Sequence, residues 1–397
     1  MKILYLSALS SVNTINELYH QTGRNPGFAA GKFNRLVVKG LIQNSADVTV
    51  LSSLSVSFSI SRKVFWWKKD ETEDGVTYKY IPFINLPVLR QVCQFIYVFF
   101  YALFWGVRDK DEKVIICDVL KSSLCIPAIF ASHINHVRRV GIMTDMPGLT
   151  VGWKTHGMKY KAIITINKWY LSSFHYYVFL TEAMNEVNKR GRPYIIMEGL
   201  VDSSLQDNDS KHIKEQTRVI LYAGGINERY GIRTMVNAVQ TLPFNDIRFD
   251  IYGSGPMSEE LKLLSSKDSR VKYYGIVPND EVVAAEYRAT LLVNPRPTTE
   301  VFTKYSFPSK NMEYMVSGTP LLTTKLPGMP EDYYPYVYLF EEETVDGYRK
   351  ALDLVLSNAA EELDAKGKLA RNFGLEKKNN IVQARRILDM LNSVRES

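Results

Sequence analysis

Lys310 and Glu313 stand three residues apart in YSFPSKNMEYMVSGTP, residues 305–320, a stretch with the punctuation of a short helix. Pro308 suits a first turn, Ser306 and Ser309 are suitable caps, and Gly318 followed by Pro320 closes it. A helix N-terminus presents unpaired N–H groups and partial positive charge, so a lysine there is mildly unfavourable unless an anion lies beside it. Three patterns upstream suit the same anion. ILYAGGINERYG (220–231) carries Gly224, Gly225 and Gly231 around a strand-to-helix turn, where glycines let backbone amides approach a phosphate. IYGSGP (251–256) is a second Gly-rich strand end, with Gly253 and Gly255. NPRPTTE (294–300) places Arg296 and Glu300 after an apolar strand, a good position for a bidentate phosphate contact. Each pattern has a plain alternative. Glycines serve turns, a loop arginine can simply be solvated, and Lys310 with Glu313 makes an ordinary i,i+3 pair.

The elements that must position these residues alternate along the chain. Strands are expected at 2–7, 47–52, 114–118, 139–144, 176–180 and 194–198, and a second series at 218–223, 247–252, 271–275, 289–294, 319–324 and 336–340. Helical segments lie between them, which argues for parallel sheets built from βαβ units, twice over. The polar run 202–217 has the look of a linker between 1–201 and 218–377. Residues 378–394 form a good terminal helix, and the fold allows 378–397 to join the first domain. In folds of this class ligands bind beyond the carboxyl ends of strands, and two such sheets would face a central cleft.

At 397 residues with 46% apolar and 23% charged residues, the chain suits two globular domains. Cys93, Cys117 and Cys125 form no metal spacing, and the last two lie in apolar runs, as buried thiols of a reducing cytoplasm would. MKILYLSALSS reads as a first strand, not a signal peptide. His133 and His136 lack a third ligand, and no metal signature or nucleophile–base pairing is evident. Residues 1–200 hold 24 lysines and arginines against 14 acidic residues, whereas the remainder is slightly acidic. Such a half suits nucleic acid, anionic lipid or phosphorylated ligands, and no nucleic-acid module supports the first. VCQFIYVFFYALFWGV (92–107) has no charge and cationic flanks, yet is shorter than a membrane-spanning helix. A buried core helix and an aromatic helix lying in a membrane interface both fit it.

The four patterns in this order resemble the family-4 glycosyltransferases, retaining enzymes of the GT-B architecture, and within them the bacterial polysaccharide branch. YSFPSK, MEYMVSGTPLLTTKLPGMPEDY and LVNPRP carry the likeness in the second half, and GKFNRLVVKGL, ICDVLKSSL, GIMTDMP and VFLTEAMN in the first. The resemblance implies two Rossmann-like domains, the first facing the acceptor and the second binding a nucleotide-sugar. It makes Glu313 the second acid of the family's E-x7-E motif, a ribose contact, and puts Tyr305 where the first acid usually stands. Glu300 is then the nearby carboxylate for the sugar. The family's usual Arg and Lys after the first strand of this domain fall on Gly225 and Tyr230, leaving Arg229, Arg296 and Lys310 to hold the diphosphate beside Ser309. The GSGP turn resembles a base-contacting loop. Asp145, in GIMTDMP, stands where many relatives have a sugar-contacting His, although TDMP also makes a good turn capped by that Asp. Asn25 and Gly27 lie in a loop that borders the cleft in relatives.

The implied activity is transfer of a sugar, with retention, from a nucleotide-sugar to a growing saccharide linked to a polyprenyl diphosphate, in cell-surface polysaccharide assembly. No metal or other cofactor is expected. The protein would be cytoplasmic and peripheral on the anionic inner face of the plasma membrane. A nucleotide-sugar epimerase of the same fold and a noncatalytic nucleotide-sugar-binding protein are the alternatives.

Overall fold

Short apolar runs bounded by turns become strands in the computed structural model, which describes residues 1–23, 29–108, 110–146, 158–207 and 213–393. The chain divides into two units, Met1–Leu200 with Asn380–Ser397, and Val201–Asn379.

In unit 1 the chain runs β1 (Lys2–Ser7), α1 (Val12–Thr22), α2 (Ala29–Gln43), β2 (Asp47–Ser52), β3 (Phe65–Trp66), β4 (Glu71–Glu73), β5 (Val76–Tyr80) and β6 (Phe83–Ile84). It continues with α3 (Leu89–Val107), β7 (Lys113–Asp118), α4 (Ser122–Ile134), β8 (Arg138–Met143), α5 (Met158–Leu171), β9 (Tyr176–Phe179) and β10 (Tyr194–Ile196). The main sheet has the order β10-β9-β8-β7-β1-β2-β5-β4. It is parallel except at the β4–β5 hairpin, where Asp74 and Gly75 both take positive φ, as a two-residue Asp-Gly turn requires. A separate ribbon pairs Phe65 with Ile84 and Trp66 with Phe83, antiparallel.

Unit 2 contains β11 (Arg218–Ala223), α6 (Ile232–Gln240), β12 (Ile247–Tyr252), α7 (Ser258–Lys267), β13 (Val271–Gly275) and α8 (Asn279–Arg288). β14 (Leu291–Asn294), α9 (Ser309–Ser317), β15 (Leu321–Thr324), β16 (Tyr338–Phe340), α10 (Val345–Leu356) and α11 (Ala360–Lys377) complete it. Its sheet is wholly parallel, in the order β13-β12-β11-β14-β15-β16. The strand order reverses between β11 and β14, so the crevice at their carboxyl ends is the natural ligand position of this sheet.

α12 (Asn380–Ser393) returns to unit 1, where Ala384, Ile387, Leu388, Met390 and Leu391 join the core. A Cβ on Gly40 of α2 would collide with the Asn380 carbonyl, so glycine there lets the two helices approach closely. Cys117 and Cys125 are buried thiols. The segment 202–217 is tied down where it is described. Ser203–Asp207 is a 3-10 turn, and Lys214 donates to the carbonyls of Tyr287 and Ala289 and to Thr319 at 2.6–3.0 Å.

The 92–107 run is neither buried nor spanning. No helix among the described residues is long and apolar enough to cross a membrane. α3 buries Gln94, Val98 and Ala102, while Val92, Phe95, Ile96, Phe100 and Phe104 face out, Phe104 being 65% exposed. Phe95 of α3, Phe130 of α4 and Trp169 of α5 form a chain of rings, 6.3 and 5.6 Å apart in turn.

Candidate active site

The residues singled out in unit 2 meet at the carboxyl edge of β11 and β14. β11 runs into Gly224 and Gly225, and β14 into Pro295 and Arg296. Arg296 lies largely buried with its guanidinium 4.8 Å from the centre of the Tyr230 ring and 5.4 Å from that of Phe302. Its buried Nε has no hydrogen-bond partner among the described residues, and burial presses its pKa below the ordinary value. A guanidinium keeps its charge even so, and this one is held on aromatic faces with donors in reserve. Arg229 also stacks on Phe302, at 5.2 Å, and its Nε and Nη2 donate to one Glu300 oxygen at 2.9 and 2.6 Å.

Two aromatic residues thus organise this edge, and Phe302 was not foreseen. Tyr230 explains both departures from the family pattern. Its ring supports Arg296, and a Cβ at position 225 would come within 2.9 Å of it, so a long side chain there would displace the ring. A cation does stand at this edge from the end of β14, as Arg296, beside Arg229.

α9 is joined to the same edge by two buried contacts. The Asn294 side chain donates to Asn311 at 2.6 Å, and the Tyr314 hydroxyl binds the Ala223 backbone. Asn311 Nδ2 is buried with no partner among the described residues. The expected caps are corrected here. Pro308 is itself the capping residue, no side chain caps α9, and exposed Ser309 is its first helical residue. Lys310 already has anions beside it: Glu313 at 2.7 Å and Glu286 of α8, buried, at 3.9 Å. Burial would lower the Lys310 pKa, but the two carboxylates outweigh it and hold the ammonium above its usual range. The helical i,i+3 pairing of Lys310 with Glu313 is real, and Glu286 was missed because its position on α8 gave no local signal. Tyr305 is half-buried at the end of the 3-10 turn Val301–Tyr305.

The glycines of the GSGP turn have a packing role. Gly253 has φ +123°, and a Cβ there would strike the Gly224 carbonyl oxygen; a Cβ on Gly255 would strike that of Ile226. The two Gly-rich strand ends therefore interlock.

In unit 1, Asp145 follows β8, half-buried, and accepts the Met146 N–H at 2.8 Å, the turn cap that its sequence allows. Burial raises its pKa, and the neighbouring Thr144 hydroxyl is buried with no partner among the described residues. Asn25 and Gly27 lie outside the described residues. Asp118 was also missed as a polar centre: buried at the end of β7, it accepts from Ser7 at 2.9 Å and from the Leu120 N–H at 3.1 Å. Among the described residues no three His, Cys, Asp or Glu side chains are grouped to hold a metal.

The family model "Glycosyl transferases group 1" matches residues 204–373, the segment that builds this edge. Residues 204–373 are a group 1 glycosyltransferase domain. The fold of the chain is GT-B. Sucrose-phosphate synthase from Thermosynechococcus elongatus superimposes with a TM-score of 0.65 at 13% identity, over 100% of this chain and 99% of that one. HepE from Anabaena, in complex with UDP, gives 0.65 at 13% identity over 99% and 100%. The lipopolysaccharide outer core galactosyltransferase WaaB, in its apo form, gives 0.60 at 14% over 99% and 100%. At such identities the likeness is one of fold. No curated protein sequence matches the chain.

Proposed function

We propose that the chain is a glycosyltransferase that moves a sugar, with retention, from a nucleotide-sugar to a saccharide on a polyprenyl diphosphate, at the inner face of the plasma membrane during cell-surface polysaccharide assembly. The observation that carries the donor side is the convergence of Arg296, Arg229 and the Lys310 end of α9 on the switch point of the unit 2 sheet. Cleaving the sugar–phosphate bond leaves negative charge on the departing diphosphate, and fixed cations and amides aimed there stabilise it. The Lys310 ammonium has three donors, of which Glu313 takes one at 2.7 Å, with Glu286 3.9 Å away. Glu313 contacts the ribose, and Glu300 and Asp145 are the carboxylates assigned to the transferring sugar. With cations from the chain in this role, no metal is required. HepE has been solved with UDP and with UDP-glucose, which supports a nucleotide-sugar of that type.

The outward apolar face of α3, α4 and α5 supports the membrane part of the reading. Lys168 stands exposed beside Trp169, and Arg108 follows α3. A face of this kind rests on an anionic leaflet, where apolar burial and cationic attraction add.

The test is nucleotide-sugar turnover with and without a polyprenyl-diphosphate saccharide, in the presence of EDTA, with the product anomer read by NMR. Acceptor-dependent turnover with retained configuration supports the proposal. Acceptor-independent release of a new free sugar identifies an epimerase, and binding without turnover identifies a binding protein. Loss of activity in EDTA overturns the metal-free reading.

A further inference from the structure

Strand β3 of the β3–β6 ribbon lies within SRKVFWWKKD, residues 61–70, in which aromatic residues are bracketed by cations on both sides. Side chains alternate across a strand. Trp66 therefore points inward, 4% exposed in the unit 1 core, while Phe65 and Trp67 point outward at 71% and 72% exposure. The ribbon is firmly held. The Trp66 ring N–H donates to the Lys63 carbonyl at 3.0 Å, and the Lys63 ammonium lies 4.8 Å from the centre of the same ring. Arg62, Lys63 and Lys69 are exposed, and none pairs with a carboxylate among the described residues; Lys68 does, with Glu17 at 2.6 Å and Glu71 at 3.8 Å.

This ribbon abuts the start of α3. Phe83 of β6 pairs with Trp66 and carries the Arg90 guanidinium 4.4 Å from its ring centre, and Arg90 donates to the Leu54 carbonyl at 2.7 Å. Exposed Val88 and Leu89 bridge the ribbon to the outward face of the helix.

We infer that the Arg62–Lys69 ribbon is a second lipid-binding element that inserts Phe65 and Trp67 among the headgroups of an anionic bilayer, beside α3. The inference rests on the membrane reading of the α3 face and adds a site to it. Charge chooses the occupant. Lysine is depleted in the cores of protein interfaces, whereas tryptophan flanked by lysine and arginine suits the bilayer interface. Attachment of an interfacial helix grows with buried apolar area and with cationic attraction to anionic lipid, and the ribbon beside α3 adds both. Two contacts also fix the rotation of unit 1 on the surface, which a single helix leaves free.

Flotation of the full chain with phosphatidylglycerol-containing and neutral phosphatidylcholine vesicles, at low and high salt, tests this. Three variants are compared with wild type, each checked by its melting curve: Phe65→Ser with Trp67→Ser, Lys63→Glu with Lys69→Glu, and Phe100→Ser with Phe104→Ser. Wild type should bind anionic vesicles and lose them in salt. The lysine variant should bind at least about tenfold more weakly, since each cation near such a surface contributes about fivefold. Bromine-labelled lipid should quench tryptophan fluorescence, and Trp67→Phe, which keeps the apolar ring, should remove part of that quenching. Vesicle binding by both ribbon variants at wild-type strength, with loss only in the α3 variant, overturns this inference and leaves the α3 reading standing. Wild type that ignores anionic vesicles overturns both. Unchanged quenching in Trp67→Phe overturns insertion even if the serine variant fails to fold.

Discussion

The Tyr314 hydroxyl on α9 accepts the Ala223 N–H at 2.7 Å and donates to the Ala223 carbonyl at 3.2 Å. Ala223 is the last residue of β11, so one buried side chain sets the height of the helix start against the glycine turn. Tyr314→Phe leaves a buried N–H without a partner, which costs about 1–3 kcal/mol. We expect a lower melting temperature and weaker UDP binding in the same variant. Unchanged UDP affinity in a destabilised variant would confine Tyr314 to folding.

Arg296→Met keeps apolar volume on the Tyr230 ring while removing charge, and Lys310→Ala removes the ammonium beside Glu313 and Glu286. Each should weaken UDP-sugar binding about ten- to hundredfold, the range of a charged hydrogen bond of roughly 1.5–3 kcal/mol. Calorimetric titration reads it. Wild-type affinity in both variants removes the diphosphate role from these cations.

Glu313→Gln should chiefly raise the donor KM through lost ribose contact. Asp145→Asn should chiefly lower kcat, because a carboxylate that meets the sugar only in the transition state affects turnover more than binding. Full turnover by Asp145→Asn leaves that residue as the cap of its turn.

Gly253→Ala places a methyl group against the Gly224 carbonyl in backbone of φ +123°. It should lower stability by more than about 1 kcal/mol and with it UDP affinity. A melting curve equal to wild type would show that the two turns do not interlock.

His175 gives a pH dependence. Its ring is lowered from 6.5 to about 4, by burial first and then by the Arg139 and Arg192 charges. The Arg139 guanidinium lies 3.2 Å from Nε2. The folded state thus holds His175 neutral where the unfolded chain would take a proton. Stability from this residue is present above pH 6.5 and falls as pH drops from 6.5 toward 4. His175→Gln should flatten the melting temperature across that window. An unaltered slope would assign the acid sensitivity elsewhere.

The alternation of apolar runs made the parallel strands legible, often to within a residue or two, because buried parallel strands carry their own hydrophobic signature. The β3–β6 ribbon and the β4–β5 hairpin were missed. Their strands are two to five residues long, and only the Asp74-Gly75 turn announces one of them. In the site, Arg296, Lys310 and Glu313 were legible as strand-end and helix-start residues. Phe302 and Tyr314 were not, because what matters about each is a contact to a residue far away in sequence. Tyr230 read as a lost cation, and its ring turned out to be the support of another.

The return of α12 to unit 1 makes unit 2 an insertion. The chain leaves unit 1 after Leu200 and re-enters at Asn380, and the two crossing points touch: Val201 bridges to Asn379 and its N–H donates to the Lys378 carbonyl at 3.0 Å. On the ribosome, the whole of unit 2 is therefore synthesised before the helix that closes the core of unit 1. The unit that is begun first is the one completed last. Until α12 arrives, the side of α2 around Gly40 and the neighbouring apolar side chains are open, and a chaperone that reads exposed hydrophobic surface has its longest opportunity there.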